Sequence, residues 1–143
     1  MAITRRELLV AGVVAVLLVA GTAGAARAAR VPSRSEGAGV RQAIFDYVAA
    51  NTLARRPTIK RVRVSSITLP ANATGRHRYR KFARVDLYDP RAGAAAALLG
   101  YYVASISGWR VLGFGSARVG CTPRPQVFQG KQNAILLDLK LGC

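Results

Sequence analysis

The sequence predicts an α+β domain: one N-terminal amphipathic helix packed on a curled antiparallel meander of four strands, followed by a C-terminal tail. Apolar residues recur at helical spacing over Val40–Leu53. Four segments typical of strands follow, joined by short connections rich in turn-forming residues. One helix across a meander is the simplest arrangement that buries these faces. With 143 residues, the chain is long enough for a single domain.

Residues 1–28 have the pattern of a signal peptide. Arg5 and Arg6 precede residues 8–26, which carry no charge, and small residues then lead to a cleavage motif ending at Ala28. We therefore expect export to the cell envelope or the medium. The alternative is an uncleaved membrane anchor formed by residues 8–26, because about 20 apolar residues span a bilayer.

The motif Thr4-Arg5-Arg6-Glu7-Leu8-Leu9 resembles the twin-arginine export signal. Val10 stands where that signal usually has a lysine, so the general secretion route remains open. After the leader, residues 29–39 are rich in Gly, Ser and Pro and are predicted to form a flexible linker. Residues 40–143 are predicted to form a single domain.

The strands are assigned from alternation and turn residues. The first two are predicted at Thr58–Leu69 and Arg78–Tyr88. The third is predicted at Ala96–Ser105, although its alanines also fit a helix. The fourth, Trp109–Val119, contains glycines that indicate a bend or bulge, and Gln132–Leu139 is predicted as a short terminal helix ending at Gly142.

This order of elements resembles small exported bacterial α+β domains of cystatin-like or NTF2-like layout, most of them of unknown function. The stretch Gly108-Trp109-Arg110-Val111, then Gly115-Ser116 and Val119-Gly120-Cys121, is similar to their last strand. The resemblance implies a scaffold and a disulfide between Cys121 and Cys143, and it implies no active site.

The chain's two cysteines also favour a disulfide on general grounds, because the predicted compartment is oxidising and the count is even. A bridge that closes a loop of about 22 residues stabilises by ~3 kcal/mol. The alternatives are metal ligation and redox chemistry. They fit less well, because the chain has a single histidine and no C-x-x-C motif.

The charge is strongly positive, at +16 with 22 Lys and Arg against 6 Asp and Glu. Such a domain attracts polyanions. Arginine predominates, and its planar fork suits phosphate and carboxylate groups. A genome rich in G and C produces the same bias toward arginine.

The densest basic stretch is residues 55–84, with ten Lys and Arg and no carboxylate. On adjacent strands these cations should form a flat surface on the sheet face away from the helix, with Phe82 among them. Candidate partners are an anionic polymer, an anionic membrane surface or an acidic protein. Sequence-specific nucleic-acid binding is not expected, since no recognition motif is present. The alternative is a solvated face with incidental charge. The candidate residues are Arg61, Arg63, Arg78, Arg80 and Arg84.

No catalytic residue, metal site or cofactor site is predicted. The only histidine, His77, lacks a nucleophile or an orienting acid at any informative spacing. Asp86 and Asp89 should point to opposite faces of their strand. The segment Gly113-Phe114-Gly115-Ser116 lacks the phosphate-loop pattern, and Asn72-Ala73-Thr74 is a glycosylation acceptor only in a suitable host.

Two functions are consistent with these sequence features. The first is a non-enzymatic module that contacts anionic envelope components. The second is a small-molecule pocket or enzyme, in which the helix and the curled sheet enclose a cone lined by aromatic side chains. The sequence does not determine the oligomeric state. The candidate lining residues are Tyr47, Tyr101, Tyr102, Trp109 and Phe114.

Overall fold

The computed structural model describes residues 28–51, 55–72, 76–115, 119–120 and 127–141. Its strands form one antiparallel sheet in the order β1-β2-β3-β4, so the predicted α+β class and four-stranded meander are confirmed. The elements are α1 (Arg34–Ala50), β1 (Thr58–Val64), β2 (Tyr79–Asp89), β3 (Gly93–Tyr102), β4 (Gly108–Gly115) and α2 (Gln132–Asp138).

Helix α1 begins at Arg34, within the stretch expected to be a flexible linker, so that prediction is wrong for residues 34–39. The reason is a capping box. The Ser33 hydroxyl accepts a hydrogen bond from the Glu36 amide at 3.2 Å, and the Glu36 carboxylate accepts one from the Ser33 amide at 3.0 Å. The helix ends at Ala50, where Asn51 caps the Tyr47 carbonyl.

The alanine-rich segment is a strand, as predicted, and it lies in the middle of the sheet as β3. Leu98 and Leu99 point to opposite faces and both are buried. A strand in the middle of the sheet buries side chains on both of its faces, and this packing outweighs the helix propensity of alanine. Opposite this pair, Leu112 is an extra residue in β4, which places the predicted bulge beside Gly113.

One apolar cluster fills the space between α1 and the sheet. The helix contributes side chains at three- and four-residue spacing, and the strands contribute alternate residues. This cluster forms the contact between the helix and the sheet. Its buried members are Val40, Ile44, Val48, Val64, Ala83, Val85, Leu87, Ala97 and Leu99.

A second cluster covers the opposite sheet face. The C-terminal segment, residues 127–141, packs there over Phe82 and Leu98. The expectation that Phe82 lies exposed among arginines is therefore wrong, since its exposure is 0%. The described chain has three layers, with the sheet in the middle. The buried members of this cluster are Leu69, Phe82, Leu98, Phe128, Ile135, Leu136, Leu139 and Leu141.

Helix α2 matches the predicted terminal helix but ends before Gly142. Lys140 adopts the left-handed conformation, with φ of 52°. Its amide bonds the Leu137 carbonyl at 3.1 Å, and the Leu141 amide bonds the Leu136 carbonyl at 2.9 Å. This is a Schellman motif, which glycine usually provides. The Arg84 side chain also donates to the Lys140 carbonyl and so helps to fix the turn.

Both ends of the domain attach at the end of β1. Arg30 forms a two-residue bridge with Val64, with both N–H···O distances at 2.9 Å. The buried Asp138 carboxylate accepts from the Ser65 hydroxyl and the Ser66 amide at 2.8 Å each, and from the Ser66 hydroxyl at 3.0 Å. Strand β1 ends at Val64, earlier than predicted, but the following residues stay beside β2, because the Ser65 amide donates to the Phe82 carbonyl and the Leu69 amide to the Arg80 carbonyl, each at 2.8 Å.

The leader, up to residue 27, and both cysteines lie outside the described residues, so the signal peptide and the disulfide remain predictions. Within the described ranges, no helix has the length and apolar character needed to cross a membrane.

Candidate functional site

The structure divides the five candidate arginines into two groups. Arg63 and Arg84 are cross-strand neighbours, and Arg61 lies opposite Asp86. Asp86 accepts from Arg84 at 2.7 Å and lies 3.6 Å from Arg63. In this group Arg61 is exposed, whereas Arg63 and Arg84 are partly buried.

The second group lies beyond the last β1–β2 pair, which joins Val64 and Ala83. Arg78 donates to the Tyr102 hydroxyl at 2.6 Å, whereas Arg80 is exposed. A single flat surface of all five arginines therefore does not form. The strand alternation suggested one, but β1 is too short to accompany β2 to its start.

The carboxylates of the described residues are all engaged within the domain. Glu36 and Asp86 form the ion pairs found among these residues, to Arg30, Lys81, Arg63 and Arg84. Asp89 accepts from the backbone of its own turn, and Asp138 holds the two serines after β1. Asp46 accepts from Gln42 in the same helix at 2.7 Å. Most exposed cations therefore form no ion pair with a carboxylate in the described structure.

Four exposed cations lie along the edge strand β1 and just before it. Two precede the strand and two lie within it, and all four are exposed. Arg56 stacks on the Phe45 ring of α1, with its guanidinium carbon 4.3 Å from the ring centre. Lys60 is the extra residue of a bulge between Ile59 and Arg61. We call this set the β1-edge cations: Arg55, Arg56, Lys60 and Arg61.

A groove of about 560 Å³ opens between the start of α1 and the ends of β2, β3 and β4. It combines hydroxyl groups, charged groups and two aromatic rings. We call it the α1–β4 groove, and it is lined by Ser33, Ser35, Glu36, Gly39, Arg80, Lys81, Tyr101 and Trp109.

The position of Trp109 in this groove depends on Gly39. A Cβ atom at position 39 would lie 2.8 Å from the indole Cδ1, which is closer than side chains tolerate. Glycine therefore lets the indole pack directly against α1. Tyr101, opposite Trp109 in the neighbouring strand, meets the indole edge to face with ring centres 5.5 Å apart. The two rings therefore pack against each other beside α1.

Arg80 and Lys81 both line the groove because β2 contains a bulge. Successive residues of a regular strand point to opposite faces. Here Tyr79 pairs with Tyr102 and Lys81 pairs with Tyr101, so Arg80 is an extra residue. Bulges redirect side chains in this way beside functional sites.

Glu36 is the one carboxylate of the groove, and it is neutralised by its neighbours. The Arg30 guanidinium donates to both of its oxygens at 2.7 Å, and Lys81 donates at 3.0 Å. The Arg30 bonds, together with those from the Ser33 amide and Lys81, hold the pKa of this carboxyl well below its usual range, although partial burial opposes them.

The low pKa of Glu36 predicts an acid-dependent contribution to stability. A depressed carboxyl pKa stabilises the fold at pH values above the unfolded pKa, near 4.3, and the contribution is lost as the pH falls toward the folded pKa. Glu36→Gln should therefore be less stable than wild type at pH 7, and the difference should shrink steadily below about pH 4. Urea denaturation of both proteins at a series of pH values measures the stability difference at pH 7 and its decrease at low pH. A difference that is unchanged down to pH 2 would contradict this assignment.

The aromatic side chains expected to line one cone form separate pairs instead. Tyr47 stacks on Phe114 with ring centres 5.4 Å apart, and Tyr101 pairs with Trp109. Tyr102 contacts Tyr79 on the other face of the sheet, and Arg110 lies 3.9 Å above its ring. Only the Tyr101–Trp109 pair borders the groove.

In the described ranges, no three His, Cys, Asp or Glu side chains come together as metal ligands. His77 is exposed, and Asp86 and Asp89 have different partners. A comparison of the whole chain with protein-family models, curated proteins and solved structures finds no match.

Proposed function

We propose that this protein is an exported, non-enzymatic binding module that contacts an anionic polymer of the cell envelope through its exposed arginines and lysines. The supporting observation is the internal use of the described carboxylates, which leaves most surface cations uncompensated. A surface of this kind attracts polyanions over a distance of about one Debye length, ~10 Å at 0.1 M salt.

The β1-edge cations are the proposed contact region. Lys60 and Arg61 lie on an outer strand, and Arg55 and Arg56 lie just before it, so an extended polymer can run alongside them without displacing part of the domain. Three of the four are arginines, whose guanidinium groups bind carboxylate and phosphate oxygens in pairs. The same charges also discourage pairing of this edge with another chain.

The test is retention of the protein on immobilised polygalacturonate, an anionic polysaccharide, over a range of NaCl concentrations. Replacing all four β1-edge cations with glutamine should weaken binding at low salt by roughly tenfold or more and flatten its salt dependence, since fewer charges are neutralised on binding. Circular dichroism of the variant should be unchanged, because all four side chains are exposed.

The matched control removes the same number of charges from other exposed positions, by replacing Arg34, Arg41, Arg91 and Lys131 with glutamine. If net charge alone governs binding, the two variants will weaken equally, and the assignment to the β1 edge fails. If wild type shows no salt-dependent retention, the proposed function itself fails.

A further inference from the structure

We propose that the α1–β4 groove binds an acidic sugar unit, a pyranose ring that carries a carboxylate, and that the anionic polymer is therefore an acidic polysaccharide. The inference rests on the proposed function for the negative charge of the partner. It adds the chemical class of the ligand and a second contact, separate from the β1-edge cations.

The aromatic pair favours a sugar over a flat ring. The interplanar angle of Tyr101 and Trp109 is 75°, so the rings form a corner rather than a parallel slot. A nucleobase stacks best on one face or between two parallel faces. The C–H groups of a sugar ring point in several directions and can contact both walls of a corner. Both rings are partly exposed, so they remain available to a ligand.

The charged groups favour a carboxylate on that sugar. Arg80 is exposed at the groove and can donate two parallel hydrogen bonds to one carboxylate. Lys81 contributes a second positive charge, and its ion pair with Glu36 leaves the side chain 30% exposed. Glu36 does not repel an anionic ligand strongly, because Arg30 and Lys81 already neutralise it.

The remaining polar groups suit hydroxyls, which both donate and accept hydrogen bonds. Ser33 and Ser35 present hydroxyl oxygens 3.3 Å apart in the groove lining. A volume of about 560 Å³ is within the usual range for small-ligand sites. A sugar ring requires hydrogen-bond donors and acceptors for its hydroxyl groups and an apolar surface for its C–H groups, and the groove provides both.

Trp109 is the only tryptophan in the chain, so its fluorescence reports directly on the groove. Titration of the full domain with trigalacturonate should change this signal saturably, with a dissociation constant of roughly 0.1–10 mM, which is typical of a small ligand in an open site. The neutral trisaccharide maltotriose and the anion tripolyphosphate serve as comparison ligands. Each should bind at least about tenfold more weakly than trigalacturonate, because maltotriose lacks the carboxylates and tripolyphosphate lacks the sugar rings.

Two variants test the residues. Arg80→Gln should weaken trigalacturonate binding about tenfold or more while leaving the weak maltotriose signal unchanged. Gly39→Ala should shift the Trp109 emission even without ligand, because the new methyl group displaces the indole. Arg91→Gln, an exposed arginine in the β2–β3 turn, is the matched control and should bind normally. If Gly39→Ala fails to fold, the effect of Arg80→Gln on trigalacturonate binding still tests the proposal.

The outcomes separate the two proposals. An unchanged Trp109 signal with trigalacturonate, or equal binding of tripolyphosphate, overturns the sugar assignment. If retention on the polymer still depends on the β1-edge cations in that case, the proposed function stands. A saturable trigalacturonate signal that Arg80→Gln weakens, without salt-dependent retention of wild type on the polymer, supports ligand binding in the groove and overturns the proposed function.

Discussion

Replacing Phe82 with alanine is expected to lower the free energy of unfolding by about 3–5 kcal/mol. Phe82 has no exposed surface, and its ring centre lies 4.8 Å from that of Phe128 in the C-terminal segment. Alanine would leave a cavity between the sheet and this segment. Urea denaturation followed by circular dichroism measures the loss.

This prediction decides between the two positions of Phe82, exposed among arginines or buried under the C-terminal segment. The control is Leu137→Ala, which removes a side chain of the same segment that is 79% exposed and should change stability by less than about 0.5 kcal/mol. A loss below about 1 kcal/mol for Phe82→Ala would show that the second apolar cluster does not form.

Asp138→Ala should destabilise the domain by roughly 2–4 kcal/mol. The buried carboxylate accepts three hydrogen bonds from Ser65 and Ser66, residues more than 70 positions earlier in the chain. Without it, these donors stay partly buried with no acceptor, which costs more than the bonds themselves contribute. Thermal or urea denaturation at pH 7 reports the effect.

Two further variants make the Asp138 result specific. Asp138→Asn keeps one acceptor oxygen and should recover part of the lost stability. Asp46→Ala removes an exposed carboxylate whose partner is one helical turn away, and it should cost less than about 0.5 kcal/mol. Equal losses for Asp46→Ala and Asp138→Ala would contradict the anchoring role of Asp138.

The order of helix and strands could be predicted because each element carries its own periodicity. Val40, Ile44 and Val48 mark the inner face of α1, and alternation marks β2. The start of α1 was missed because Gly37 and Gly39 suggested a linker. The Ser33–Glu36 capping box outweighs them.

The apolar character of the outer sheet face could not be predicted, because a bulge changes the alternation within β2. A regular strand places Tyr79 on the same face as Ala83. The extra residue Arg80 moves Tyr79 to the face of Phe82, and the two rings lie 6.4 Å apart. That face then becomes apolar enough to receive the C-terminal segment.

The candidate site was only partly predictable. The exposed cations follow from composition, because the chain has too few carboxylates to pair with them. The groove depends on the contact between Gly39 and Trp109, which are distant in sequence, and on the bulge at Arg80. No local pattern encodes either feature.

The packing of residues 127–141 over the outer face of the sheet has a consequence for the order of folding. Among the described residues, the segment 127–141 supplies most of the cover over Leu69, Phe82 and Leu98, with Ala29 and Val119 also packed against this cluster. A nascent chain therefore exposes this apolar surface until residues 127–141 have been synthesised and have docked. Late docking over such a long sequence separation is slow and leaves time for association with other chains. The high positive charge opposes this, because it makes incomplete molecules repel one another.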